Sequence, residues 1–256
     1  MYEDFLMKKA LFLTSLLSIM LYAAPSSCPK FYVDGEAPTI VNEKLASKTK
    51  ELCFEAFGVM HSGISKTPLW SAEYLTATAI DADVPRKNKF HEETQLPVSE
   101  RSELKDYAKS GYDRGHMSPS ADMPTELAQA DSFSLANMVP QDHNSNTGIW
   151  SSIESATRYL AKKEGSLYII TGPIFKGEIK AIGNCVLIPT MIYKVIYSPK
   201  QQKAAAYLTS NVSGREYQVI SIKELETLTG INFFPKMEEE KKTQLLSLPE
   251  PKKQKY

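Results

Sequence analysis

The chain has 256 residues, enough to bury a substantial core as one large domain or two small ones, and its 42% apolar and 23% charged content is that of a globular protein, not a disordered one. Thirty Lys plus Arg balance thirty Asp plus Glu. That balance excludes a single large basic face as the grip on a polyanion, so any such binding rests on a local positive patch.

At the N-terminus, Lys8 and Lys9 precede the apolar run Ala10 to Ala24, which ends in small residues and is too short to span a bilayer. This is the pattern of a secretory signal, with cleavage near Ala23 or Ala24 and Met7 as an alternative start. A lipid-modified Cys28 is the rival reading, weakened by the Pro25-Ser26-Ser27 that leads into it. Residues 1–23 are therefore set apart from a globular domain over 24–236. The tail 237–256, rich in Lys and Glu and carrying Pro249 and Pro251, is expected to be loosely ordered. Export places the mature chain in the periplasm or outside the cell, where disulfides form. Of the three cysteines, Cys185 adjoins the apolar Val186-Leu187-Ile188 and reads as a buried core thiol, which leaves Cys28–Cys53 as the expected bridge.

The apolar and aromatic segment Glu51–His61 reads as a strand, Gly63 and Pro68 bracket a turn, and Trp70–Ile80 reads as a second strand. Arg86 to Pro97 is a polar, exposed loop. A helix is predicted from Asn146 or Thr147, where Ile149, Ile153, Ala156 and Leu160 form one apolar stripe flanked by Trp150. Glu154 and Arg158 lie off that stripe, spaced as a surface ion pair. Ser166–Gly172, Val186–Tyr197 and Ala204–Ser210 supply three more strands, with Pro189 at a bulge or bend. Ser221-Ile222-Lys223-Glu224 has the pattern of a capping box, opening a short helix that Gly230 stops. Strands outnumber helices and do not alternate with them. The fold class is α+β, with an antiparallel sheet core flanked by helices.

Polar chemistry concentrates between Tyr112 and Glu154. His116 stands in the run Asp113-Arg114-Gly115-His116, and a neutral imidazole can take a proton from water as a general base. Arg114 offers a planar fork suited to a phosphate. Gly115 permits a backbone conformation or a close approach that a side chain would block. Asn146 is read two ways: as the N-cap of the predicted helix, or as an oxygen ligand for a hard cation such as Mg²⁺. Glu154 lies eight residues further on, about 12 Å of helical rise, so both residues cannot touch one ion directly. If both serve a metal, Asn146 is the direct ligand and Glu154 acts through water. Asn137, before the run Met138-Val139-Pro140-Gln141, is either a buried amide bracing a loop or a polar contact to the site. His61 and His91 carry no chemical neighbours and are structural or exposed. His143 is a weaker ligand candidate, with only Asp142 beside it.

The ordered set Asp113-Arg114-Gly115-His116 with Pro119, Asn137-x-x-Pro140-Gln141, Asn146-x-Gly148-x-Trp150 and Glu154 resembles the DNA/RNA non-specific endonucleases. This is the ββα-metal (His-Me finger) family of secreted bacterial nucleases and mitochondrial endonuclease G. The resemblance extends to Leu52–Leu75, Thr171–Phe175, Ile188–Tyr197 and Leu225–Pro235. It implies a ββα-metal site in which His116 is the general base and Asn146 the single protein ligand of a hydrated Mg²⁺, with Mn²⁺ as the alternative ion. It further implies that Glu154 holds a water of the ion, Arg114 steadies the phosphate and Asn137 supports the site. An upstream substrate-binding arginine is also implied, either Arg86 or Arg101. The expected activity is hydrolysis of phosphodiester bonds in DNA and RNA with 5′-phosphate products. The rival readings are a binding or adhesion module that has lost hydrolysis, and a metal phosphodiesterase for small substrates.

Overall fold

The computed structural model describes residues 26–252; the signal read over 1–23 lies outside the described residues. Seven antiparallel strands form the central sheet: β1 (Thr49–Cys53), β2 (Phe57–Ser62), β3 (Thr67–Thr76), β6 (Ser166–Ile174), β7 (Met191–Ser198), β8 (Lys203–Ser210) and β9 (Gln218–Ile220), while β4 (Asp113–His116) and β5 (Met138–Gln141) form a separate β-ribbon within the insertion between β3 and β6. The order across the sheet is β9-β8-β7-β6-β3-β2-β1. Consecutive strands pair as hairpins except at β3–β6, where the 89 residues between Thr76 and Ser166 carry the ribbon and the main helix.

Alternation along each strand sends side chains to two cores. On one face Trp70, Ala72, Ile170, Tyr193 and Val195 pack with Phe31, Tyr32, Phe233, Phe234 and with Ile222 and Leu225 of the helix α2 defined below. On the other face Leu75, Ile169, Ile192, Ile196 and Tyr207 pack with Met117 and Val139 of the ribbon region and with Ile149, Trp150, Ile153 and Leu160 of the main helix. That main helix, α1 (Ser151–Glu164), continues a π-helical turn over Asn146–Trp150 and is closed by Gly165. The apolar stripe read from the sequence is therefore the face laid on the sheet. Helix α2 (Ile222–Thr229) opens on the capping box of Ser221 and Glu224 and ends at Gly230 with φ +69°, the left-handed position that favours glycine.

Several sequence expectations are corrected. Glu51–His61 is not one strand but the β1–β2 hairpin, turned at Phe54–Ala56 because Cys53 pairs back onto Gly58. The strand begun near Trp70 stops at Thr76, whose side chain caps a short helix over Ala77–Asp81. Val186–Tyr197 is broken at Ile188-Pro189-Thr190 into a two-residue strand, Val186–Leu187, and β7; Pro189 has no N–H for the ladder. Cys28 and Cys53 are bridged as expected. Cys185 is exposed, not buried: it sits with φ +60° in the tight turn between Ala181–Ile182 and Val186–Leu187, so its apolar neighbours point inward while it does not. The tail past Met237 is not loose over the described residues. A helical turn at Glu239–Thr243 buries Lys242 against Glu226 and Asn232, and Leu246 enters the second core. No helix among the described residues is long and apolar enough to cross a membrane.

Candidate nuclease active site

The ribbon places the first half of the site. Gly115 lies opposite Val139, and a Cβ on it would fall 2.7 Å from the Gln141 Cβ and collide with the Gln141 amide oxygen. Close approach of two strands, not a special φ, is what requires glycine here. Next to it, His116 points into a pocket of rings. Phe133 meets it edge-on at 5.0 Å and Phe90 lies at 5.7 Å. Its Nε2 is buried without a hydrogen-bond partner. Burial first, and then the positive charge of Arg86, lower its pKa to about 3, so the free imidazole is neutral across the working pH range.

Asn137 braces this arrangement from beneath. Fully buried, it donates to the carbonyls of Ser118 and Ser132 and accepts from the Ser118 amide. These bonds fix the backbone two residues beyond His116. Of its two sequence readings, the loop brace is the one these contacts describe.

The second half comes from the helix. The structure corrects the N-cap reading of Asn146: Asp142 is the cap, accepting from the Ser145 amide, and Asn146 is already helical at φ −59°, ψ −52°. Freed of capping, Asn146 turns its carboxamide to the ribbon, where Nδ2 donates to Asp113 Oδ2 at 2.9 Å. His143 Nδ1 meets the same oxygen at 2.9 Å. The amide nitrogen being committed, the carbonyl oxygen of Asn146 is the atom offered outward. Asp113 was quoted only as part of a motif in the sequence; its role appears once the ribbon and helix are adjacent. The His143 contact runs through Nδ1 to Asp113.

Glu154 does not pair with Arg158, which corrects the expected surface ion pair. Arg158 instead bridges to the buried Asp122 at 2.9 Å. Glu154 is half-buried on the first turn of α1, and desolvation raises its pKa against the lowering charges of Arg158 and Lys194. Arg86 acts electrostatically on both His116 and Glu154, which places its charge at the site. Arg101 does not; it is held by the Glu93 carbonyl and Glu103. Arg114 lies 4.2 Å over the Phe90 ring, the same ring that borders His116. His61 is buried on the Glu100 carbonyl and is structural, while His91 is exposed beside Lys89.

A two-stranded ribbon carrying His116, followed by a helix carrying Asn146, is a ββα arrangement. The family model described as DNA/RNA non-specific endonuclease matches residues 36–240, and the chain belongs to that family. The mitochondrial nuclease EXOG of Danio rerio is 31% identical over 206 residues, covering 72% of this chain and 60% of the relative. Nuclease C1 of Cunninghamella echinulata var. echinulata is 30% identical over 207 residues, covering 72% of this chain and 82% of that one. The chain thus spans 60% and 63% of the length of the zebrafish and human EXOG nucleases. A solved EndoG chain from the EndoG/EndoGI complex superposes with a TM-score of 0.71 at 23% identity, over 80% of this chain and 96% of that one, which shows the same fold.

Proposed function

We propose that the chain is an exported, metal-dependent endonuclease that hydrolyses DNA and RNA with little sequence preference. The observation that carries this reading is the pairing of a neutral, desolvated His116 with an Asn146 whose nitrogen is tied to Asp113. His116 serves as general base: its neutral imidazole takes a proton from the water that attacks phosphorus. In-line attack expels the 3′ oxygen and leaves 5′-phosphate ends. A bound phosphate brings negative charge beside the imidazole, opposes the influence of Arg86 and strengthens the base as substrate arrives. Arg114 and Arg86 hold the phosphate through guanidinium forks. Contacts of this kind address the backbone and not base edges, which is why sequence matters little.

The donor set fits a hard divalent ion. The Asn146 carbonyl oxygen would hold Mg²⁺, or Mn²⁺ in its place, and Glu154 would reach it through water. When bound, the ion neutralises charge on the phosphate and the leaving oxygen. Export rests on the apolar Ala10–Ala24 run with its preceding lysines and on the Cys28–Cys53 bridge, which belongs to an oxidising compartment. On this reading residues 1–23 are the signal, 24–236 the nuclease domain and 237–256 the C-terminal extension. Just past the cleavage point, Ser26 and Ser27 are held by the Glu51 carboxylate. The test is digestion of plasmid DNA and of RNA by the purified chain, with Mg²⁺ and with EDTA. Nucleic-acid binding without cleavage by well-folded protein at saturating Mg²⁺ would replace this reading with that of an inactive binding module.

A further inference from the structure

Arg114 and His116 alternate along β4, so their side chains leave the same face of the ribbon. Against that face lies the ring of Phe90, 4.2 Å from the Arg114 guanidinium carbon and 5.7 Å from the His116 ring. Phe133, fully buried, meets Phe90 edge-on at 4.9 Å and His116 edge-on at 5.0 Å. The ring that carries the guanidinium is thus backed by the ring that packs the histidine.

Phe90 reaches this place from a loop pinned on both sides. Ahead of it, the buried Gln129 accepts from the Lys87 amide at 2.9 Å and donates to the carbonyls of Val84 and Pro85. Behind it, the His91 amide donates to the Phe133 carbonyl at 3.2 Å, and the Leu135 amide donates to the His91 carbonyl at 2.8 Å.

How an arginine is held decides what it has left to give. Arg158 is bound to Asp122, and Arg101 to Glu103 and the Glu93 carbonyl, so each spends donors and offsets its charge. Among the described residues Arg114 has no hydrogen-bond or ion-pair partner; what holds it is the face of Phe90. A guanidinium on a ring is held through its flat face, while its N–H donors lie in the plane and stay free for a phosphate.

We infer that Phe90 is a positioning residue: its ring face holds the Arg114 guanidinium beside His116 without consuming the donors that grip phosphate. A phenylalanine present only to cover the neighbouring core of Leu104, Tyr107 and Tyr112 would support the fold and leave that grip unchanged. The inference rests on the nuclease reading, in which Arg114 holds the phosphate, and wild-type cleavage of plasmid with Mg²⁺ tests that reading by itself.

The test of Phe90 is the Kd of a fluorescein-labelled DNA duplex in EDTA, which needs neither metal nor cleavage, alongside kcat/KM with Mg²⁺. Phe90→Leu is expected to weaken binding by about tenfold, within the range of a cation–π contact, and to lower kcat/KM at least as much. Phe90→Tyr keeps the ring and should return both to within about threefold of wild type. In an Arg114→Met background Phe90→Leu should change binding by less than about threefold, because the guanidinium is already gone. Phe90→Met, ringless and flexible enough to fill the space, carries the comparison if Phe90→Leu does not fold. Wild-type binding by folded Phe90→Leu, equal losses with and without Arg114, or a loss in Phe90→Tyr as large as in Phe90→Leu would each overturn the inference and leave the nuclease reading standing. A wild type that binds the duplex without cleaving overturns the nuclease reading and leaves the Phe90 comparison in place, and one that does neither overturns both.

Discussion

Asn146 Nδ2 donates to Asp113 Oδ2 at 2.9 Å, so the helix residue proposed as the metal ligand is oriented by the first residue of the strand that ends in His116. The same carboxylate oxygen meets His143, an exposed side chain. Removing the carboxylate leaves the Asn146 amide free to rotate and present nitrogen in place of oxygen. Asp113→Ala is therefore expected to lower metal affinity by roughly 10–100-fold. Asp113 is only half-buried, so its melting temperature should stay near wild type. His143→Ala should cost much less, since it leaves the Asp113–Asn146 bond in place. Metal titration of cleavage together with a melt checks both; equal losses in the two variants would show that His143 does more than steady Asp113.

The cap, Asp142, and the proposed ligand, Asn146, are different residues, and mutation should separate them. Asp142→Ala removes the acceptor for the Ser145 amide and should cost about 1 kcal/mol of stability with little change in metal dependence. Asn146→Ala should show the converse, a steep rise in the Mg²⁺ needed for cleavage with a small change in melt. Glu154→Gln, acting through water, should be impaired but partly rescued by added metal. An Asn146→Ala enzyme that titrates with Mg²⁺ like wild type would remove Asn146 from the site.

Much of this was legible because it is periodic or local. The α1 stripe, the Ser221 capping box and the glycine stop at Gly230 are short-range patterns, and each lies where the sequence placed it. What escaped was long-range. Nothing in the sequence tells that Arg158 will choose Asp122, 36 residues away, over Glu154 four residues away. Of the two readings of Asn146 the cap fails because helical backbone already begins at His143, ahead of the π-helical turn, and the apolar stripe does not register where it begins. Cys185 was misread for a related reason: apolar neighbours say a segment is near the core, while a single left-handed residue at its turn decides that this side chain faces out.

His116→Ala should abolish cleavage, a loss on the order of 10²–10⁴ or more in rate, in protein that still folds. The residue also leaves a mark on stability. Its folded pKa, about 3, lies below the ordinary 6.5, so between those values the unfolded chain binds a proton that the folded chain does not. Stability from this source is full above pH 6.5 and falls as pH drops towards 3. His61, lowered by burial, acts in the same direction. Replacing His116 by Asn should flatten part of the acid slope in a series of melts, and an unchanged slope would contradict the burial of a neutral imidazole.

The cysteines give a chemical test. Cys185 is exposed and free, while Cys28 and Cys53 are bridged. Native protein should therefore react with one equivalent of a thiol reagent without denaturant, and unfolding should release no second thiol until reductant is added. Cys53→Ser should lower stability by about 3 kcal/mol, the scale for closing a loop of this size. Cys28 is also packed in the first core, so Cys28→Ser should cost at least as much.

Glu73 supplies the sharpest pH experiment. It is buried on β3, facing Asp122, Glu154, Lys194 and Arg158, and burial with the Asp122 charge raises its pKa well above the ordinary 4.5, against the pull of Lys194 and Arg158. A carboxyl whose folded pKa is raised binds its proton more tightly folded than unfolded. Its contribution to stability is full below the unfolded value and is lost as pH rises through the folded one. Glutamine keeps the shape and cannot ionise. The melting temperature of Glu73→Gln relative to wild type should accordingly climb as pH rises above the ordinary carboxyl value of 4.5, each kcal/mol appearing as roughly 2–4 °C in a domain of this size. The sign is what matters: a gap that shrinks with rising pH would mean that Glu73 is ionised in the fold and paired with Lys194.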